Sequence, residues 1–414
     1  MAKVIVMIGA FDTKGAEYAF LREQIVARGH RVVAVNVGVL GSTELFPVDV
    51  EADEVARAGG KTLEELRRDR DRGVAMQVMY DGAAIIAKRL YDNERLDGVV
   101  GMGGSGGTSV ITSAMRALPI GVPKVCLTTV IGGDIKRYVG VKDVTLIPSI
   151  VDIAGLNRIS RLMICRAAGA ACGMVEAGVP PQTDERPIIT ATMFGNTTEC
   201  VECCSKALTA QGYEVLVFHA TGVGGKTMEL LVDEGLVTAV LDITTTEWAD
   251  EVGEGMLSAG PDRLSAPGRQ GIPHLIVPGC IDMVNFGGPD TVPGKFRDAG
   301  RKFYEWNPAV TLMRTNVEEN RRMGAIFAEK ANAAKGPVAF LTPLRGVSIL
   351  DGDGQPFCDR EADRAFSEAL KAKLRKDIPV VELDCNINDP VFAKRAVEMM
   401  LDLIAKGKAR GPIG

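Results

Sequence analysis

Residues 96–118 read Leu-Asp-Gly-Val-Val-Gly-Met-Gly-Gly-Ser-Gly-Gly-Thr-Ser-Val-Ile-Thr-Ser-Ala-Met-Arg-Ala-Leu. The apolar run 96–100 predicts a buried strand, and residues 109–118, apolar at helical spacing, predict a helix. The five glycines within 101–108 leave the backbone N–H groups of the connecting loop open to a ligand. Because those groups and the positive end of the helix dipole both attract anions, the stretch predicts a phosphate-binding strand–loop–helix unit.

Two other interpretations of these glycines have to be weighed. Gly101, Gly103 and Gly106 match the spacing of the dinucleotide fingerprint, which requires an acidic residue at the end of the next strand. The next predicted strand, residues 123–127, is followed by Thr128-Thr129 instead, so NAD is disfavoured. The glycines could also form a tight turn without any ligand. Phosphate binding is the interpretation that the strand and helix on either side favour.

Composition limits the class of protein. The 414 residues suggest two domains of ordinary size, and 46% hydrophobic with only 5% aromatic residues is typical of a globular α/β protein. The net charge of −5 and the absence of basic runs argue against a nucleic-acid surface. No apolar run reaches the roughly 18 residues of a membrane span, and the chain enters a predicted strand without a signal peptide. Nine scattered cysteines indicate reduced thiols, so we expect a cytoplasmic protein.

Outward from the glycine loop, the order strand, turn, helix and strand occurs twice along the chain. Near the N-terminus a predicted strand at 3–8, a turn at 9–15, a helix at 17–28 and a strand at 31–37 form one βαβ unit. After residue 187 the order strand, turn, helix and strand returns over 187–219. The second half continues with strands predicted at 237–242, 274–277, 310–313, 337–341 and 379–383. The repetition predicts two related doubly wound halves.

The segment 178–187 contains three prolines and several charges and has no apolar periodicity, which is typical of a linker. We therefore place an N-terminal nucleotide-binding domain at 1–180 and a C-terminal domain at 187–414. The predicted fold class is α/β, with two Rossmann-like doubly wound parallel-sheet domains related by an internal repeat.

Ligands of open parallel sheets bind beyond the carboxyl ends of the strands, so polar residues at predicted strand ends are the candidate contacts. In the first half the nucleotide-binding candidates are Asp12, Thr13, Lys14, Gly103, Gly104, Ser105, Gly106, Gly107 and Thr108. Lys14 would neutralise phosphate charge, and Asp12 could equally serve as a helix N-cap.

The second half offers a possible second pocket with ionisable groups. Its candidate catalytic residues are His219, Asp242, Glu247, Asp282 and Arg345. Arg345 would clamp the carboxylate or phosphate of a small anionic substrate, and His219 stands where it could act as a base. The alternative is ordinary loop and cap chemistry, in which Arg345 would pair with Asp242, Asp282 or Asp389.

Two further motifs carry weaker signals. Ala220–Thr227 fits a loose Walker A pattern, although it follows only the second strand of its half. Cys200, Cys203 and Cys204 lie on a predicted helix without a second cysteine pair at metal spacing, so we expect buried thiols and no metal site.

Seven motifs in order resemble those of the Tm-one-like ATP-binding family, which includes the N-terminal part of a plant tobamovirus-resistance protein. They are Gly9-Ala-Phe-Asp-Thr-Lys-Gly15, Gly103-Gly-Ser-Gly-Gly-Thr108, His219-Ala-Thr-Gly222, Leu241-Asp-Ile-Thr-Thr-Thr-Glu247, Pro278-Gly-Cys-Ile-Asp-Met-Val-Asn-Phe286, Pro343-Leu-Arg-Gly-Val347 and Asn386-Ile-Asn-Asp-Pro390. The resemblance implies two Rossmann-like domains, ATP on the 12–14 and 103–108 positions of the first, and dimerisation. The resemblance assigns no reaction. It also weakens the Walker A interpretation, because members of the family commonly have Arg-Ala where this chain has Lys226-Thr227.

These observations lead to one expected function and two alternatives. We expect a nucleotide-binding protein that uses ATP, alone or with Mg²⁺, as an enzyme of small-molecule metabolism and forms a homodimer or higher homo-oligomer. The first alternative is an ATP-independent hydrolase or lyase that acts on a small oxo-acid in the C-terminal domain. The second is a regulatory nucleotide-binding protein without turnover.

Overall fold

The computed structural model describes residues 2–178 and 186–409, with the side chains of 408 and 409 left out. The chain divides into two compact units, residues 1–181 and 182–414. Most of the predicted linker 178–187 lies outside the described residues. In the described ranges no helix is both long and apolar enough to cross a membrane.

The first unit is a five-stranded parallel sheet with helices on both faces. Its strands are β1 (Val4–Gly9), β2 (Arg31–Asn36), β3 (Gly98–Gly103), β4 (Lys124–Thr128) and β5 (Thr145–Pro148). Its helices are α1 (Phe11–Ala27), α2 (Ala52–Ala58), α3 (Leu63–Asp69), α4 (Arg72–Asp92), α5 (Ser105–Arg116), α6 (Lys136–Val139) and α7 (Arg158–Glu176). The strand order is β2-β1-β3-β4-β5.

Strand β1 shows why its sequence is apolar at every position. Val4, Val6 and Ile8 pack into a core that contains α4 and α5, whereas Ile5 and Met7 pack into a second core that contains α1 and α7. Successive side chains of a strand point to opposite faces, so a strand covered on both faces has to be apolar throughout.

The glycine loop is shorter in the structure than the sequence predicts. Gly101–Gly103 belong to β3, and α5 already begins at Ser105, so the connecting turn is centred on Gly104. The turn predicted at 9–15 is also mostly helical, since α1 begins at Phe11 and is interrupted by a non-helical Lys14.

The second unit repeats this arrangement and extends it. Its strands are β6 (Ile188–Met193), β7 (Glu214–His219), β8 (Ala239–Thr244), β9 (His274–Gly279), β10 (Met283–Phe286), β11 (Phe303–Asn307), β12 (Val310–Arg314), β13 (Val338–Pro343) and β14 (Val380–Leu383). Its helices are α8 (Thr198–Ala210), α9 (Val223–Asp233), α10 (Glu247–Gly253), α11 (Ala266–Gln270), α12 (Gly294–Asp298), α13 (Val317–Asn332), α14 (Arg360–Lys373) and α15 (Pro390–Ala409).

The parallel sheet of this unit has the order β14-β13-β9-β8-β6-β7. Read from β7, the order β7-β6-β8-β9-β13 matches β2-β1-β3-β4-β5 of the first unit. The predicted fold class, two Rossmann-like parallel-sheet units related by a repeat, is confirmed.

One predicted strand belongs to a different sheet. Residues 310–313 were expected in the parallel sheet, but β12 lies in a separate antiparallel sheet of order β10-β12-β11. The reason is the short connection at 308–309, which joins β11 and β12 as a hairpin, because so short a connection suits antiparallel neighbours only. The strand β11 itself was not predicted.

Candidate functional site

The first unit has its topological switch point between β1 and β3. These neighbours pair from Ile5–Gly98 to Ile8–Gly101, and the chain leaves their carboxyl ends toward opposite sides of the sheet. The segment 12–14 follows β1 and the segment 103–108 follows β3, so the fold brings the two predicted groups to the same edge. Open α/β sheets bind ligands in the crevice at such a point.

Helix α5 presents an open N-terminus at this edge. Its N-cap, Gly104, supplies no side-chain hydrogen bond, and within the described residues the backbone N–H groups of Ser105, Gly106 and Gly107 have no acceptor. The first bond of the helix runs from the N–H of Thr108 to the carbonyl oxygen of Gly104 at 2.8 Å. Three free donors at the positive end of a twelve-residue helix form a site that suits a phosphate.

The predicted residues of this loop divide into structural and open positions. Thr108 is buried, and its hydroxyl lies 3.2 Å from the carbonyl oxygen of Gly103 and 2.6 Å from the hydroxyl of Thr128, so it holds the turn. A Cβ on Gly103 would lie 2.9 Å from the Cα of Gly107, which excludes larger residues there. Gly104 and Gly106 face open space, with no atom closer than 3.4 Å to an added Cβ. These two glycines therefore leave the room that a ligand would need.

The segment after β1 supplies charged side chains. Asp12 Oδ2 accepts a hydrogen bond from the Leu40 N–H at 2.9 Å, whereas its Oδ1 is buried and has no donor among the described residues. The Lys14 ammonium donates to the carbonyl oxygen of Ile153 and keeps two further donors. Thr13 is exposed. Asp12 does not cap α1, whose N-cap is Ala10 without a side-chain bond.

Two cavities flank the glycine turn. One of about 610 Å³ is lined by apolar side chains such as Val37, Met76 and Val110, together with Arg70 and Arg72, which have no ion-pair partner in the described part of the chain. Met76 lies against Gly106, which connects this cavity with the α5 N-terminus. Its volume is in the usual range of small-molecule sites.

The other cavity, of about 530 Å³, lies at the carboxyl ends of β4 and β5. It is lined by Thr128, Thr129, Ser149 and Asp152 among others, and Thr129 approaches the Gly104 position. An elongated ligand at the α5 N-terminus thus has room on either side.

The Walker-like loop before α9 is closed by a side chain of its own unit. The N–H groups of Gly222 and Gly225 donate to Glu247 Oε1 at 2.8 and 3.1 Å. A Cβ on Gly225 would lie 2.2 Å from the same carboxylate. Since the carboxylate occupies the position that a phosphate would take, this loop does not offer an open anion site.

Glu247 and Asp242 belong to one fully buried ion cluster around Arg263. The guanidinium lies 2.6 Å from Glu247 Oε2 and 2.9 Å from Asp242 Oδ2, and His274 Nε2 lies 2.9 Å from the same Asp242 oxygen. Burial would raise the pKa of Asp242, but the charge and hydrogen bonds of Arg263 outweigh it and lower the pKa below its ordinary value. The same cluster holds Glu229, whose pKa is raised by burial. Asp242 and Glu247, two of the predicted catalytic residues, are therefore held in ion pairs with Arg263 inside the protein.

Asp282 lies in a different buried cluster. Its Oδ2 accepts a hydrogen bond from the Ser348 hydroxyl at 2.8 Å, and its Oδ1 has no donor among the described residues. Burial raises the pKa of Asp282 to about 6, although the Arg314 charge opposes the change. Arg314 also pairs with Asp351 at 3.2 Å and with Asp363 at 2.7 Å.

The other two candidates are exposed. His219 ends β7, and its ring contacts Phe194 with centroids 5.5 Å apart. Arg345 is bonded to Asp384 through two nitrogens, at 2.8 and 3.0 Å, and its side chain is 54% exposed. None of the aspartates proposed as its structural partners is involved. Among the described residues, the five candidates make no single constellation of hydrogen bonds or ion pairs.

The cysteine prediction is correct in part. Cys200 and Cys204 are buried, but Cys203 is exposed because it lies on the outer face of α8. Within the described residues, no group of three or more His, Cys, Asp or Glu side chains is placed to hold a metal ion.

Sequence reasoning missed Arg263, which follows no predicted strand and belongs to no motif. The only available signal was indirect: a buried Asp242 and Glu247 would require a cation, which no residue near them in sequence supplies.

Family models match almost the whole chain. The model described as the N-terminal domain of an uncharacterised protein family (UPF0261) matches residues 3–180, and the C-terminal domain model of the same family matches residues 186–404.

Two relatives illustrate the similarity. A "UPF0261 protein" of Clostridium tetani is 46% identical over 98% of this chain and 100% of its own length. The "ToMV resistance protein Tm-1(GCR237)" of Solanum lycopersicum is 41% identical over 81% of this chain, but the match covers only 45% of the tomato protein. The resemblance to the Tm-one-like family is thereby confirmed.

Among solved structures, the glycosyltransferase SnogD from Streptomyces nogalater aligns over 98% of this chain and 99% of its own, at 12% identity and a TM-score of 0.23. A score this low supports no conclusion about the ligand.

Proposed function

The chain belongs to the uncharacterised protein family UPF0261, together with homologues of the tomato Tm-1 proteins, and we propose that it binds ATP at the switch point of its first unit. The phosphates would bind to the N–H groups of Ser105, Gly106 and Gly107. Lys14 would add a charge-assisted hydrogen bond to them.

The observation that carries this proposal is the contrast between two glycine-rich helix starts. The start of α5 has three free N–H donors, and no side chain of the described residues covers them. The start of α9 is occupied by the Glu247 carboxylate. The carboxylate at the α9 start supports the expectation that such a loop takes an anion, and the open α5 start is left for a ligand.

The surroundings fit the remaining parts of a nucleotide. The apolar surface near Met76 in the 610 Å³ cavity suits a base, and Arg70 and Arg72 at its border suit negative charge. Asp12 is a carboxylate at this edge, and it would face Mg²⁺, which commonly binds one or two carboxylates together with phosphates. Bound ATP would supply a phosphoryl or nucleotidyl group for transfer.

We further propose an ATP-dependent enzyme of small-molecule metabolism that acts on a small anionic metabolite as a homodimer in the cytoplasm. The ATP-independent hydrolase or lyase has less support, because Asp242 and Glu247 are buried and paired with Arg263. Light scattering of the purified chain tests the homodimer.

Calorimetric titration with ATP and Mg²⁺ tests the nucleotide site. We expect saturable binding to the wild type and a loss of about tenfold or more in Gly104→Val and Gly106→Val, since each added side chain fills the space in front of the free N–H groups.

Gly294→Val is the matched control. Gly294 is also a helix-start glycine with open space around it, but it lies in the second unit, so ATP affinity should not change. No binding to the wild type, or binding to both first-unit variants as tight as to the wild type, would overturn the proposal.

A further inference from the structure

A cavity of about 300 Å³ lies at the carboxyl ends of β9 and β13 in the second unit, against α14. Its floor is apolar and is formed by Pro278, Ile281, Leu344, Val347 and Phe366. The volume equals about ten water molecules of roughly 30 Å³ each, so the cavity suits a molecule of about ten non-hydrogen atoms or fewer.

Three polar side chains that line this cavity lack partners among the described residues. Thr342 is 3% exposed, and its Oγ1 is buried without a hydrogen bond. Ser367 is 8% exposed, and no hydrogen bond of its hydroxyl is found within 2–178 and 186–409. Arg364, one turn earlier on α14, is exposed and makes no ion pair with any described residue. Buried polar groups usually have partners, so the unsatisfied Thr342 hydroxyl indicates a ligand, and the Ser367 hydroxyl and the exposed Arg364 guanidinium stand beside it.

The other charges of the lining are already neutralised. Asp363 pairs with Arg314 and Arg360, each at 2.7 Å, and Glu382 pairs with Lys371. Arg364 is therefore the charged side chain of the lining that makes no ion pair within the described residues and is available to a ligand. Because two carboxylates stand nearby, a ligand with one negative charge is favoured over a doubly charged phosphate.

We propose that this cavity binds a small organic monocarboxylate with an apolar body. Arg364 would take the carboxylate with its planar fork, the Thr342 and Ser367 hydroxyls would donate to its oxygens, and the apolar floor would cover the body. The site is separate from the proposed ATP site and does not depend on it. It also replaces Arg345 as the anion-binding arginine of this unit.

Ligand-observed NMR titration of the full chain tests the proposal. The probes are isovalerate and benzoate, with isoamyl alcohol and benzyl alcohol as neutral analogues of the same shape and inorganic phosphate as the competing anion. We expect the carboxylates to bind at least about tenfold more tightly than the alcohols, because only a carboxylate can accept a charge-assisted hydrogen bond between two opposite charges. Phosphate should not displace them.

Arg364→Gln and Thr342→Val should each weaken carboxylate binding by about tenfold. Thr342→Val should keep the melting temperature, because the hydroxyl it removes is unsatisfied. The matched controls are Arg322→Gln, an exposed arginine on α13, and Thr190→Val, whose Oγ1 in β6 is equally buried and unpartnered.

Both controls should bind the probes as the wild type does. Absence of carboxylate binding to the wild type, binding to Arg364→Gln and Thr342→Val as tight as to the wild type, or displacement of the probes by phosphate would overturn the proposal.

Discussion

The phenol oxygen of Tyr18 accepts a hydrogen bond from the backbone N–H of Met102 at 2.7 Å. The same oxygen lies 2.8 Å from the carbonyl oxygen of Ile8 and 2.7 Å from that of Met102, so the hydroxyl can donate to either. Pairing of β1 with β3 ends at Ile8–Gly101, and Tyr18 of α1 therefore bridges the strands just where they part. Gly9 makes room for the ring, since a Cβ there would lie 1.9 Å from it.

Replacing Tyr18 with Phe should destabilise the protein by about 1–3 kcal/mol, because the buried Met102 N–H would lose its acceptor. Urea denaturation measures the change. Tyr91→Phe is the control, since no described residue hydrogen-bonds the Tyr91 hydroxyl, and it should alter the free energy of unfolding by less than about 0.5 kcal/mol. Equal effects of the two changes would show that the bridge contributes nothing measurable.

The two lysines near glycine-rich turns should differ in their effect on ATP binding. Lys14→Ala should weaken ATP binding by about tenfold or more, because a charge-assisted hydrogen bond to phosphate is lost. Lys226→Ala should leave the affinity unchanged, because Glu247 closes the loop beside it. Calorimetric titration of both variants distinguishes the sites, and a larger loss in Lys226→Ala would favour the Walker A interpretation.

Arg263 should be necessary for stability, whereas Arg345 should not. Arg263→Met would leave the buried Asp242 and Glu247 without their cation, and we expect a loss of about 3–5 kcal/mol. Arg345→Lys alters an exposed ion pair, which water and salt screen, so the melting temperature should hardly change. Thermal and urea unfolding measure both, and a large loss in Arg345→Lys would contradict the surface role that the structure gives it.

Asp250 should make stability depend on pH. Burial raises its pKa to about 7, although hydrogen bonds from Asn285 oppose the change. The folded protein therefore keeps the Asp250 proton, which the unfolded chain loses near pH 4. The contribution of protonated Asp250 to the free energy of unfolding is complete below pH 4 and is lost as the pH rises toward 7. The expected slope is at most about 1.4 kcal/mol per pH unit.

Asp250→Asn should remove this slope and still fold. The Asn285 Oδ1 has no partner within the described ranges, so a rotated Asn285 amide could accept from the new side chain. Unfolding free energies of wild type and variant between pH 4 and 7 give the difference. Asp298→Asn, at an exposed position, is the control, and parallel curves for all three proteins would exclude a raised pKa of Asp250.

The architecture follows from local patterns in the sequence. Runs that are apolar at every position, as in Val4–Ile8, predict strands covered on both faces, and the turns and helices that follow them predict parallel sheets. Such signals are local, because strand and helix periodicities are read within a few residues. The prediction failed at residues 310–313, where a short hairpin connection, and not the strand's own composition, decides which sheet the strand joins.

The burial and the ion-pair partners of the polar residues at the strand ends depend on the tertiary fold. Asp242 and Arg345 looked alike as strand-end charges, yet Asp242 is buried against Arg263 and Arg345 is exposed beside Asp384. Two glycine-rich helix starts also looked alike, and only the position of Glu247 closes one of them. The reason is physical: a charge is buried or exposed according to partners that lie tens of residues away in sequence, and no local pattern records them.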